Sequence, residues 1–98
     1  MAKVEIDTEQ ESGRGWEYHA KVSRGPGGAG QTSEHTVKLA WVDHEHWSGG
    51  RVPPSKVIES LLEFLVEREE KHAIPAKFDA STVRRWFPDV DRELPGRF

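Results

Sequence analysis

The stretch PPSKVIESLLEFLVEREEKH, residues 53–72, decides the fold. Pro53 and Pro54 bring the fixed φ that suits a first helical turn. Behind them Val57, Ile58, Leu61, Leu62, Phe64 and Leu65 recur at helical spacing, which predicts a helix over 54–72 with one broad apolar stripe. A stripe of that kind has to be buried against a second layer.

The residues before it supply that layer. Val4, Ile6 and Thr8 alternate with Glu5 and Asp7, the period of a half-buried strand over 3–9. Ser12, Gly13 and Gly15 mark a reversal. Trp16, Tyr18, Ala20 and Val22 then alternate with Glu17, His19 and Lys21, predicting a strand over 16–23. Val37, Leu39 and Trp41 inward with Lys38 outward predict a third over 35–43. The expected architecture is a single α+β domain spanning 1–98, a three-stranded antiparallel meander packed by the long helix.

Beyond the helix, Ile74 and Phe78 are expected to tuck beneath it. Asp79 is placed as the N-cap of a short helix over 80–87, in which Val83, Trp86 and Phe87 pack and Arg84 and Arg85 face outward, with Pro88 ending it. Residues 89–98 read as a loose tail. Residues 24–33, with Arg-Gly-Pro-Gly-Gly-Ala-Gly at the centre, have little side chain to pack and read as a flexible loop.

Composition bounds the function. Only 35% of the residues are hydrophobic and 32% are charged, yet four Trp and four Phe supply large buried area. The net charge of −3 gives no global field for nucleic acid or an anionic membrane. There is no cysteine, hence no disulfide framework and no thiolate site. The first residues carry no apolar signal region and no run approaches the ~18 residues of a membrane span, so no membrane association and a cytoplasmic location are expected.

Four motifs carry possible chemistry. Residues 25–32 follow the phosphate-loop pattern except that Gln31 replaces its lysine, and the next segment reads as strand where such a loop needs a helix. His44 and His46, two apart on an extended backbone, leave from one face and form a candidate metal pair, with His19 as a distant third ligand. Ser33 or Ser48 with a histidine and an aspartate are the candidates for a hydrolytic triad, but no G-x-S-x-G elbow is present. No catalytic residue and no cofactor is assigned from these patterns. For nucleic acid, the local basic groups are His19, Lys21, Lys38 and His44 on the outer sheet face, with Arg84, Arg85 and Trp86 as a second patch.

Glu59, Glu63 and Glu67 stand four apart on the long helix and form an acidic ridge suited to a basic partner. Together with Arg84 and Arg85 they are the candidate interaction surface. The free edges of a three-stranded sheet invite pairing. The leading expectation is a non-enzymatic intracellular interaction domain with a protein partner or a second copy. A metal-binding role for His44 and His46, or nucleic-acid binding through a local patch, stands as the alternative.

The segments from His35 to Trp47 and from Val57 to Glu69, then Ile74, Phe78-Asp79 and Trp86-Phe87-Pro88, resemble a group of short bacterial proteins of no assigned function. Those share an aromatic-rich strand, a Phe-Leu-apolar-Glu-Arg-Glu helix and a closing Phe-Asp…Phe-Pro. The resemblance covers the last two-thirds of the chain and implies the fold alone.

Overall fold

The computed structural model describes residues 2–25 and 30–98. Its centre is a mixed four-stranded sheet in the order β1-β2-β3-β4, formed by β1 (Lys3–Ser12), β2 (Gly15–Ser23), β3 (Thr32–Ala40) and β4 (Lys77–Asp79). The first three strands form the expected antiparallel meander. Gly13, at φ 58°, takes the left-handed backbone that the β1–β2 turn requires. Gly15 is equally constrained, because a Cβ there would overlap the Leu39 carbonyl oxygen on the neighbouring strand.

The inner face follows the pattern of alternation. Tyr18, Ala20 and Val22 on β2 and Val37 and Leu39 on β3 are fully buried, while Val4 and Ile6 pack at the border. A bulge between Ile6 and Thr8 then reverses the parity of β1, so Glu9 faces Tyr18 and Glu11 faces Trp16. Thr8, expected on the apolar face, lies opposite exposed His19 instead.

Two helices and a C-terminal array cover this face. Helix α2 (Pro54–Glu67) buries Val57, Ile58, Leu61, Leu62, Phe64 and Leu65 as its spacing predicts. It stops at Glu67 and not at His72, since residues beyond the last core leucine have no apolar face to bury. No helix among the described residues is long and apolar enough to cross a membrane.

Four further expectations are corrected. The third strand ends at Ala40, and residues 41–48 form helix α1 (Trp41–Ser48), closed by Gly49 in the left-handed conformation with its N–H donated to Glu45 O. Trp47 is consequently buried while Trp41, expected inward, is 47% exposed. The sheet also gains β4, which runs parallel to β3 through Val37 and Phe78. Asp79 then caps a 3₁₀ turn (Ala80–Thr82), its carboxylate accepting from the Ser81 amide at 2.9 Å. In place of one helix over 80–87, the chain forms this turn and the four-residue helix α3 (Val83–Trp86).

The fourth correction concerns residues 89–98, which are not a loose tail. They form helix α4 (Val90–Glu93) and a 3₁₀ turn (Leu94–Arg97), and Val90 and Leu94 are completely buried with Phe98 packed beside them. Val90, Leu94 and Phe98 share one face at intervals of four, which is why a segment so short finds a stable seat. Of the glycine-rich loop, residues 26–29 lie outside the described residues. At its mouth Arg24 N–H donates to Gln31 O at 3.0 Å. Strand β3 comes directly afterwards, so no helix stands behind the phosphate-loop-like pattern.

Candidate functional site

The predicted metal pair is separated by the helix on which it sits. On α1, residues two apart point roughly 200° from each other. His44 packs edge-on against Trp16 at 5.4 Å and its Nε2 bonds Val52 O at 2.8 Å. His46 faces Asp91, 3.7 Å away. The same-face argument for His44 and His46 therefore fails with the strand that carried it, and among the described residues no group of three or more His, Asp or Glu side chains is arranged to hold a metal ion.

Arg84 also departs from expectation. It is not an outward cation but the centre of a network joining α1, α3 and α4. Its Nη1 donates to Asp43 Oδ1 at 2.8 Å, and its Nε to Asp91 Oδ1 at 2.8 Å. The indole of Trp47 donates to the same Asp91 oxygen at 2.6 Å, and the guanidinium lies over the Trp47 ring. Burial pushes the Asp91 carboxyl up, but the hydrogen bonds from Trp47 and Arg84, with the Arg84 and His46 charges, outweigh it and hold the carboxyl below its ordinary value. This cluster fastens the C-terminal residues to α1. Arg85 remains exposed.

The acidic ridge on α2 is answered largely from within the chain. Glu59 pairs with Lys56 at 3.3 Å. Glu67 takes a bidentate contact from Arg97 at 2.7 and 2.8 Å, which holds its carboxyl below the ordinary value. Glu63 is half-buried beside it, in a shallow cavity bordered by Ala2, Val66, Glu67 and Arg97.

The outer sheet face is polar and interleaves lysines with acids. Register places Lys21 between Glu5 and Glu34, and Lys38 between Glu17 and Asp79. Each lysine of the suggested nucleic-acid patch thus has an acid on both flanks, an arrangement that cancels the field a phosphate backbone would need. His19 is exposed there, 3.8 Å from Glu17.

Two features are only partly legible in the sequence. The first is the edge of β1. Among the described residues this ten-residue strand pairs on one side only, with nine of its residues opposite β2 and Asp7 in the bulge, and its side chains include Glu5, Asp7, Glu9 and Glu11 against Lys3 alone. Glu9 accepts from the buried Tyr18 hydroxyl at 2.6 Å; burial first, and then this contact, push the phenol far above its ordinary range. The opposite edge carries only the three residues of β4. The bulge that turns Glu9 and Glu11 onto the face of Tyr18 and Trp16 is a backbone event, and alternation alone does not announce it.

The second is a polar chain on the inner face at the start of β3. His35 is 4% exposed. Its Nδ1 lies 2.7 Å from Pro75 O, its Nε2 lies 2.7 Å from Ser33 Oγ, and Arg24 Nη1 donates to the same Oγ at 2.9 Å. Arg24 is itself clamped by Glu69, which accepts from Nε at 2.8 Å and from Nη2 at 2.7 Å. A carbonyl oxygen only accepts, so Nδ1 carries a ring hydrogen, and in that tautomer Nε2 accepts from the serine hydroxyl. The i, i+2 spacing of Ser33 and His35 on a strand is the sequence signal for this pair.

Comparison of the chain with models of protein families, with curated proteins and with solved structures returns no match.

Proposed function

We propose that the chain is an interaction domain that accepts an extended, basic segment of another protein as an added strand on the free edge of β1. The observation that carries this reading is the combination, on one ten-residue strand, of pairing on one side only among the described residues and four acids against one lysine. An unpaired strand edge offers alternate N–H and C=O groups to an incoming backbone. The acids select the occupant: Glu5 on the outer face and Glu9 and Glu11 on the face of Tyr18 favour a segment rich in Lys or Arg, whereas a second copy of β1 sets acid against acid across the new ladder. The Glu67 and Arg84 charges are engaged by other elements of their own chain, while on β1 itself Glu5 pairs with exposed Lys3 and Glu9 accepts from Tyr18.

The test is fluorescence anisotropy with labelled peptides of alternating Thr-Lys and Thr-Glu. Binding of the basic peptide that weakens as salt rises, with no binding of the acidic one, is the expected result. Equal behaviour of the two peptides overturns the reading, and a dimer in light scattering at high concentration replaces it with self-association.

A further inference from the structure

We propose that Ser33 is a nucleophilic serine with His35 as its base, and that the pair accepts an acyl group from an activated ester. Both residues stand on β3, apart from the open edge of β1.

The Pro75 carbonyl fixes the Nδ1–H form of His35, so the lone pair on Nε2 is aimed at Ser33 Oγ, 2.7 Å away. The hydroxyl hydrogen is therefore committed to the imidazole, the geometry in which a serine passes its proton to a base as its oxygen attacks. Pro75 O takes the positioning part that a carboxylate takes in a hydrolytic triad: it holds the ring and its tautomer.

Arg24 Nη1 stands 2.9 Å from the same oxygen, and its two bonds to Glu69 keep it there. A fixed cation at that distance stabilises negative charge as it develops on the reacting atoms. Oγ has two lone pairs; one accepts from Arg24 and the other stays free for attack. Ser33 is half-exposed while His35 behind it is buried, so the nucleophile meets solvent and the base does not.

The step balances without a further reactant. Ser33 Oγ bonds the acyl carbon as its proton moves to His35 Nε2; the bond from that carbon to the leaving oxygen breaks, and the alcohol departs with the proton returned from Nε2. The products are an acyl-serine and a free alcohol.

A fluorophosphonate probe tests the pair, since it reacts with an activated serine by forming a P–O bond and expelling fluoride. Peptide mapping of the folded chain is expected to place the label on Ser33, with the rate reduced about 100-fold or more in His35→Gln, the low end of what a positioned base contributes. His35 is buried and its replacement risks the fold, so a second measurement uses the absence of cysteine. Ser33→Cys is expected to alkylate with iodoacetamide at least ~10-fold faster than Ser81→Cys, because an adjacent imidazole favours the thiolate. An unlabelled Ser33 together with a Ser33→Cys thiol no faster than the Ser81→Cys control overturns the proposal and leaves the chain of hydrogen bonds as a structural bridge.

Discussion

Replacing Leu94 by alanine asks whether the last ten residues belong to the core. The side chain is completely buried, in the 3₁₀ turn that closes the chain. Truncation removes three carbons from contact, about 2.4 kcal/mol at ~0.8 kcal/mol each, before any cost of the space left behind. Adding a partly collapsed cavity brings the expected loss to about 3 kcal/mol, inside the ~2–5 kcal/mol range of buried leucine truncations. For a domain near 100 residues, this lowers the melting temperature by roughly 12–24 °C. Urea unfolding followed by tryptophan fluorescence measures it, with Trp47 beside the affected segment as a reporter. The midpoint should fall with the slope unchanged. A loss below about 0.5 kcal/mol would mean that residues 89–98 are a dispensable appendage, and the account of the core would be wrong.

Two predictions concern titration. Asp91 and Glu67 are held below their ordinary carboxylate values, so the stability they contribute is present above those values and is lost as pH falls through the lower folded ones. Acid unfolding should therefore steepen below about pH 4, and Asp91→Asn should flatten that limb while lowering stability at neutral pH; a parallel curve for the variant would contradict the Arg84 network. Tyr18, the only tyrosine, has its phenol pushed upward by burial and by Glu9. Its neutral form is matched to the fold, so its share of stability is complete below the ordinary phenol value near 10 and declines as pH rises above it. Tyrosinate absorbance should appear only together with unfolding, and a normal titration of the folded chain near pH 10 would refute the buried placement.

Legibility in the sequence tracks how much of each signal is local. The meander and helix α2 announce themselves because each repeats a period over eight or more residues against one large apolar layer. Helix α1 does not, because Val37, Leu39 and Trp41 continue a strand pattern across the boundary, and the decision is made by tertiary contacts: Trp47 into the core and Asp43 onto Arg84. Gly49-Gly50 after Ser48 is the available signal, a helix end requiring a left-handed residue. Strand β4 is three residues long and forms only because β3 offers it an edge. At the C-terminus Pro88, just before the last ten residues, and Pro95 within them mask the four-residue spacing of Val90, Leu94 and Phe98.

The candidate sites are less legible for a related reason. Pairing His44 with His46 assumes an extended backbone, so an error in secondary structure becomes an error in chemistry. Arg84 looks like a surface residue because its partners are 41 and 7 positions away. The acids of β1 look unremarkable until the strand order places β1 at the edge of the sheet and the bulge turns Glu9 and Glu11 to the face of Tyr18. Ser33 is visible as a nucleophile candidate, but its histidine is two residues away on the same strand, and the group that orients it is a backbone carbonyl 40 residues on.

Amide hydrogen exchange along β1, with and without the basic Thr-Lys peptide, tests the central claim most directly. In the free chain the amides that face β2 should be protected and those on the open side should exchange freely. Added peptide should slow the open-side amides of Lys3–Ser12 and leave the rest of the sheet unchanged. Protection confined to another element, or no change in β1 at saturating peptide, would contradict it.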